Sequence, residues 1–280
     1  MTNSSFPLRF SPDQISIPHL VTIQFSHYCE IARWALDASA VTYREIAYAL
    51  GCHAQPVGEL RADRNNRSSS SYPGEETDQH SGRLKYAVPL LCLPNGEICR
   101  DSWEILSKYQ GHLPDVWRHQ FDTILGPAVR RVMYNEALDP QYPHLFDSLF
   151  VGATDMELAF KQVGESQIRS GVSTLMNINP ETVAKDKQRI VEFFQECDDF
   201  LQQIDDIPAH QQENPQWWIA ISSLCGLLLG CPDYGGTAFN AAPLSSLRDS
   251  YQAWIKELDK HLTCQLISAY YENHRLNSRS

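Results

Sequence analysis

Residues 26–37 read Ser-His-Tyr-Cys-Glu-Ile-Ala-Arg-Trp-Ala-Leu-Asp, and residues 19–25 before them read His-Leu-Val-Thr-Ile-Gln-Phe. The β-branched and aromatic side chains of 19–25 are typical of a short buried strand. Apolar residues at helical spacing then predict a helix that begins after Ser26. A second strand-like segment follows at 41–48. Because strand, helix and strand in this order form a right-handed crossover unit, the two strands are predicted to be parallel.

The segment after the second strand changes character. Residues 51–85 are largely polar, and residues 65–82 contain almost no apolar side chains. Such a segment cannot offset the entropy lost on ordering, so a mobile polar loop insertion is predicted at about 54–84.

A hairpin and a helix are predicted next. Residues 87–100 alternate as two short strands around Asn95-Gly96, a typical hairpin turn. If that turn has two residues, Cys92 and Cys99 lie opposite each other across the hairpin, close enough to oxidise, although a reducing compartment disfavours the disulfide. Asp101 and Glu104 then form a capping-box pattern, which predicts that the next helix begins there.

From about residue 113 onward the apolar residues follow helical periods only. Gly126-Pro127 is predicted to kink the first of these helices. The longest apolar run, 217–229, is shorter than the ~20 residues needed to cross a membrane and is interpreted as a buried core helix. The fold class predicted is therefore an α/β domain over residues 1–112 followed by an all-α helical bundle over residues 113–280.

Composition excludes several classes of function. The net charge of −11 supplies no basic surface for nucleic acid or for anionic membranes. Eight cysteines without regular spacing, together with an N-terminus that lacks the pattern of a signal peptide, favour the reducing cytoplasm. The ten histidines and the cysteines show no pair at metal-ligand spacing, so no metal site is predicted.

Two features carry chemistry. The predicted helix after Ser26 directs its unpaired backbone N–H groups and the positive end of its dipole toward Ser26 and Cys29, where a thiolate would be stabilised. Pro89 lies inside a strand-like run, which requires an edge position or a special role such as a cis peptide bond after Val88. Each residue also has a purely structural interpretation, because Ser26 and Asp101 are good N-caps and Pro89 suits an edge strand.

The three motifs 26–29, 88–89 and 101–102, in this order on β-α-β-β-α, resemble those of the glutathione S-transferase superfamily. The resemblance covers most of the chain and implies a thioredoxin-like N-terminal domain followed by an all-helical domain. The late segments 231–236 and 270–275 are also similar to tails of uncharacterised members, which says little about chemistry.

The resemblance implies a role for each motif. Ser26, or less favourably Cys29, would lie beside the glutathione sulfur, and the Ser26 hydroxyl would favour its thiolate. Val88, next to a cis Pro89, would pair its backbone with the cysteinyl part of glutathione. Asp101 would bind the γ-glutamyl amino group, and Ser102 would donate to the carboxylate.

Three further residues are candidates for additional contacts with glutathione: Tyr28, His53 and Lys85. The segment that contacts the glycine carboxylate of glutathione in the family is longer in this chain, so the spacing does not place that contact. His53 and Lys85, near the two ends of this segment, are the candidates for it. Ser26 occupies the position where glutaredoxin-like relatives have their nucleophilic cysteine, which disfavours reductase chemistry but leaves Cys29 as an alternative.

The function predicted is a glutathione-dependent transferase that conjugates glutathione, its co-substrate, to a small electrophilic apolar molecule. Three aromatic residues are candidates for lining the acceptor site, Trp117, Tyr134 and Trp218, although such residues are more often core. Two alternatives remain open: a non-catalytic binding or interaction protein on the same scaffold, and a glutathione-dependent thiol reductase that uses Cys29. The resemblance also implies a homodimer.

Overall fold

The computed structural model describes residues 6–62, 86–231, 234–235 and 244–275. Strand β1 spans His19–Ile23, helix α1 spans His27–Ala38 and strand β2 spans Arg44–Tyr48. β1 and β2 are parallel, with His19 opposite Arg44 and Ile23 opposite Tyr48. The predicted β-α-β unit is therefore confirmed.

The sheet has four strands in the order β2-β1-β3-β4, where β3 is Leu90–Cys92 and β4 is Ile98–Cys99. β3 is antiparallel to both of its neighbours. Side chains alternate across the sheet, so Leu91 packs into the core shared with α1, whereas Leu90 and Cys92 pack into a smaller core on the opposite face.

The two-residue turn that would place Cys92 opposite Cys99 in the β3–β4 hairpin does not form. Cys92 lies opposite Ile98, and Cys99 lies opposite Leu91. The backbone N–H of Gly96 donates to the carbonyl of Leu93, and that of Leu93 to the carbonyl of Glu97, so the loop has three residues rather than two. Gly96 has φ +85°, as expected at the left-handed position of such a loop, and the extra residue shifts the register by one. Both cysteines are free and buried.

The predicted loop insertion at about 54–84 is also wrong at its start. Residues Ala54–Ala62 form helix α2. Val57 and Leu60, three positions apart, are buried in the smaller core against the sheet, and this packing stabilises a helix that the sequence pattern does not predict. The remainder of the predicted loop, 63–84, lies outside the described residues.

Helix α3, Ser102–Gln110, begins where it was predicted, with the Asp101 side chain accepting from the backbone N–H of Glu104 at 2.7 Å. Helix α4, Asp115–Gln120, runs through a π-helical turn at Phe121–Leu125 into α5, Gly126–Ala137. The irregularity predicted at Gly126-Pro127 therefore takes the form of a widened turn just before the proline.

The described residues after α5 contain helices and no strands. These helices are α6 (Pro143–Ser148), α7 (Asp155–Leu175), α8 (Pro180–Leu201), α9 (Ile207–Glu213), α10 (Pro215–Leu229), α11 (Asp249–Leu258) and α12 (Leu262–Tyr270), with short 3-10 turns at Pro12–Gln14 and Leu244–Ser246 and a π-helical turn at Tyr271–Arg275.

Helix α10 is the central core helix that the apolar run predicts, since every residue from Trp217 to Leu229 is buried. Among the described helices, none combines the length and apolarity that a membrane crossing requires. The predicted fold class is confirmed: a thioredoxin-like α/β sheet unit followed by an all-α bundle. One hydrophobic core runs through both parts, and the boundary at residue 112 stays a prediction.

Helix α1 is fixed by a buried network of charges. Arg275, in the π-helical turn that follows α12, donates from Nε to Glu30 Oε1 at 2.8 Å and from Nη1 to Asp37 Oδ2 at 2.7 Å. Arg33 lies 2.7 Å from Glu45 on β2. The two late segments singled out in the sequence therefore hold α1, because Tyr234 also donates to the carbonyl of Phe25 at 2.8 Å.

Candidate functional site

The strand registers bring the three predicted motifs to one edge of the sheet. Val21 pairs with Leu90, so the end of β1, which leads to Ser26, lies beside the beginning of β3, which follows Val88–Pro89. Leu91 pairs with Cys99, so the end of β4, which leads to Asp101, lies at the same edge. Residues that are 75 positions apart in the sequence thus become neighbours through the order of the strands.

Ser26 is the N-cap of α1, and its hydroxyl oxygen accepts from the backbone N–H of Cys29 over a long 3.4 Å. The side chain is half-buried, which leaves the hydroxyl available to a second partner. Cys29 is fully buried, and this burial raises the pKa of its thiol to about 11 despite the nearby Arg33. Burial therefore favours the protonated thiol, and the reductase alternative gains no support from this environment.

The Val88–Pro89 peptide bond is cis, as the resemblance implies. Val88 is half-buried and lies two residues before β3. No hydrogen bond joins the backbone of Val88 to any residue in the described part of the chain. This backbone can therefore pair with an extended peptide in the manner of an added strand.

Asp101 and Ser102 lie at the N-terminus of α3. Asp101 is half-buried, and burial raises the pKa of its carboxyl although the N–H of Glu104 stabilises the charged form. Ser102 is 3% exposed, and no hydrogen bond of its hydroxyl is seen within the described residues. The pair thus offers one carboxylate for a cation and one hydroxyl, beside the helix N–H groups, for an anion.

Arg61 of α2 joins two of these motifs and was not anticipated from the sequence. Its Nη2 donates to the carbonyl of Ala87 at 3.1 Å and to the carbonyl of Arg100 at 2.5 Å. These carbonyls immediately precede Val88 and Asp101. Arg61 is therefore a positioning residue that fixes the spacing between the cis-proline segment and the start of α3.

Tyr28 lies at the contact between α1 and helix α5 of the helical bundle. A Cβ added at Gly126 would lie 2.2 Å from the Tyr28 hydroxyl oxygen, so only glycine permits this approach of α5. The Tyr28 ring packs edge-on against Trp103 at 6.2 Å. Burial and the carboxylate of Asp122 raise the pKa of Tyr28, which keeps its hydroxyl protonated.

His27 and Arg130 meet at the same contact between α1 and α5, and no pattern in the sequence points to a role for either. Burial, followed by the charge of Arg130, lowers the pKa of His27 to about 3, so the imidazole is neutral. His27 is 4% exposed, and its Nε2 has no hydrogen-bond partner among the described residues. The Nε of Arg130 is likewise buried without a partner there.

The two residues predicted to contact the glycine carboxylate of glutathione, His53 and Lys85, have different outcomes. His53 follows β2, whose end lies beside that of β1, so the residue reaches the correct edge of the sheet. Burial lowers its pKa to about 4, however, so it offers a neutral imidazole rather than a cation. Lys85 lies outside the described residues.

The aromatic residues suggested for the acceptor site are mainly core residues. Trp218 is fully buried and donates to His210 Nδ1 at 3.1 Å, and Tyr134 is 5% exposed and packs edge-on against Phe25. Only Trp117, which is half-buried, has surface to offer a ligand. Among the described residues, no group of three or more metal-ligating side chains is close enough to hold an ion.

Comparisons with known proteins add little to this description. No protein-family model matches the chain, and no curated protein matches it. A solved structure of glutathione S-transferase III in its apo form is similar at 12% sequence identity with a TM-score of 0.38, covering 91% of this chain and 96% of that chain. The fold is therefore assigned from the strand order and helices of this chain itself.

Proposed function

We propose that this chain is a glutathione-dependent transferase that stabilises the glutathione thiolate and conjugates it to a small electrophile. The observation that carries the proposal is the meeting, at one sheet edge, of the α1 N-terminus, the cis Val88–Pro89 segment and the α3 N-terminus. Each part matches one portion of the tripeptide in charge and hydrogen-bonding capacity.

The residues have distinct roles in this proposal. The backbone of Val88 pairs with the cysteinyl residue, which fixes its sulfur near the start of α1. The Ser26 hydroxyl donates to the sulfur, and the positive end of the α1 dipole favours the thiolate over the thiol. Asp101 binds the α-amino group of the γ-glutamyl residue, and Ser102 donates to its carboxylate.

The chemical step is a nucleophilic attack. The thiolate forms a carbon–sulfur bond at the electrophilic carbon, a leaving group such as chloride departs with its electron pair, and the thiol proton has passed to solvent beforehand. No metal or redox partner takes part in this step.

Isothermal titration of the reduced protein with glutathione tests the site. Ser102→Ala should weaken glutathione binding by about tenfold, because it removes a donor to a carboxylate. Ser107→Ala on the same helix is the matched control and should bind as the natural chain does. If the natural chain shows no binding at millimolar glutathione, the proposal fails and the non-catalytic scaffold becomes the better interpretation.

Ser26→Ala separates catalysis from capping. The variant should still bind glutathione, but the thiolate absorbance near 240 nm at pH 7 should disappear and turnover should fall about 100-fold. Loss of the cap alone costs only about 0.5–1 kcal/mol of stability and would leave the thiolate signal intact. Ser26→Thr, which keeps the hydroxyl, should retain part of the activity.

The cytoplasmic location and the homodimer remain predictions of the same proposal. Light scattering at working concentration gives the mass directly, and a mass of 31.8 kDa would show a monomer.

A further inference from the structure

Arg130 is a half-buried arginine at the contact between α5 and α1. It lies on α5, and within the described residues it forms no ion pair, while the Nε atom is buried and lacks a hydrogen-bond partner. By contrast, the adjacent Arg131 is paired with Asp186 at 2.5 Å. A guanidinium carries five donors and is always charged, so a buried Nε without an acceptor is unfavourable unless a ligand supplies one.

The position of Arg130 points to the candidate site. Gly126, Arg130 and Tyr134 lie four residues apart and therefore share one face of α5. Gly126 receives the Tyr28 hydroxyl, and Tyr134 packs against Phe25 at 5.2 Å, so this face covers the turn that contains Ser26. Long helical side chains run back toward the helix N-terminus, which directs Arg130 over Gly126 toward His27 and Tyr28.

His27 supplies a second, independent observation. The residue is only 4% exposed, and its Nε2 also lacks a hydrogen-bond partner among the described residues. Because this imidazole is neutral, it neither repels nor replaces the guanidinium, and Arg130 is the cation at this contact. The Nε of Arg130 and the Nε2 of His27 thus lie at the contact between α5 and α1 that follows Ser26, where the Asp122 carboxylate also acts on Tyr28.

We infer that Arg130 binds a carboxylate of the electrophilic substrate, so that the preferred acceptors of this enzyme are organic acids. This inference rests on the proposed function and specifies its substrate class. A planar guanidinium matches a carboxylate with two parallel hydrogen bonds, and the partial burial of Arg130 strengthens them. The acid would anchor the acceptor while its electrophilic carbon faces the sulfur beside Ser26.

The test compares 4-chloro-3-nitrobenzoate with its methyl ester at saturating glutathione. In both reactions the thiolate bonds to the ring carbon and chloride leaves with its electron pair. Each kcat/KM is divided by the uncatalysed rate constant for the same compound, which removes the difference in intrinsic reactivity. The natural chain should then prefer the acid by about 10- to 100-fold.

Arg130→Met should abolish this preference without weakening glutathione binding, and Arg130→Lys should retain part of it. Arg44→Met, at an exposed arginine on β2, is the control and should keep the full preference. The thermal midpoint of Arg130→Met should be no lower than that of the natural chain, because no described ion pair is lost.

Several outcomes overturn the inference, and they differ from failure of the proposed function. Equal use of acid and ester by the natural chain, or an unchanged preference in Arg130→Met, would refute it while conjugation itself stands. A tenfold loss of glutathione affinity in Arg130→Met would assign the residue to a carboxylate of glutathione instead. Absence of both glutathione binding and turnover would refute the proposed function and this inference together.

Discussion

Arg275→Met is expected to destabilise the chain strongly. The Arg275 guanidinium bridges Glu30 and Asp37 at 2.8 Å and 2.7 Å, and the side chains of Arg275 and Glu30 are both fully buried. Removal of one partner from a buried pair leaves the other charge desolvated, which typically costs about 3–5 kcal/mol. Arg33 remains 3.5 Å from Glu30 and compensates partly, so we expect ~3 kcal/mol.

Urea unfolding followed by tryptophan fluorescence and by far-ultraviolet circular dichroism measures this loss. Coincident transitions from the two probes are required before a single free energy is assigned. Lys185→Met is the control, because its pair with Glu181 is largely exposed and should contribute less than ~0.5 kcal/mol. Arg275→Lys should fall between the two, since one ammonium cannot bridge both carboxylates with the geometry of a guanidinium.

A double variant identifies the cause. If the loss comes from the uncompensated carboxylate, Glu30→Gln combined with Arg275→Met should be more stable than Arg275→Met alone. A loss below ~1 kcal/mol for Arg275→Met, equal to that of the exposed control, would refute the argument that this pair holds α1.

Three other residues give outcomes that need no ligand. Cys29 should resist iodoacetamide at pH 7.5 in the folded protein, because burial raises its pKa to about 11; rapid alkylation seen by peptide mass spectrometry would contradict this. Gly126→Ala should lower the free energy of unfolding by ~1–3 kcal/mol, since the new Cβ meets the Tyr28 hydroxyl, and Tyr28→Phe should recover part of that loss in urea unfolding. His27 has a folded pKa of about 3 against an ordinary 6.5, so the unfolded chain binds its proton first. The contribution of neutral His27 to the free energy of unfolding is therefore complete above pH 6.5. Between pH 6.5 and 3 it falls by up to ~1.4 kcal/mol for each pH unit. A His27→Asn variant whose stability depends equally steeply on pH would disprove this.

Local patterns in the sequence were sufficient for the elements around the site. β1, α1 and β2 follow from hydrophobic period and chain order, and the capping residue Asp101 marks the start of α3 correctly. These features depend on interactions within a few residues, which is the range over which a pattern is informative.

Two errors have the opposite cause. Helix α2 contains Pro56 and Gly58, and the tertiary burial of Val57 and Leu60 against the sheet stabilises it. The hairpin register depends on whether the turn has two or three residues, and Asn95-Gly96 is compatible with both. The local sequence leaves loop and helix at α2, and the two turn lengths in the hairpin, close in free energy. Tertiary packing or backbone twist then determines which of them forms.

The partners of α1 were beyond any local pattern for a different reason. The contacts from Tyr234 to Phe25 and from Arg275 to Glu30 join residues 209 and 245 positions apart. No periodicity links such positions, and the identity of each partner depends on how the C-terminal helices pack. The late segments could be recognised as unusual, but their role in holding the candidate catalytic helix required the fold.

Arg130 and Arg275 show how the structure separates stability from function. In the sequence both are arginines of the helical segments that follow residue 112. Arg275 is buried with two carboxylates, so its replacement should unfold the chain more easily. Arg130 has a buried Nε with no described partner, so its charge adds a desolvation cost and no ion pair. A guanidinium with no ion pair among the described residues, at the contact that follows Ser26, is best explained by the ligand that it binds.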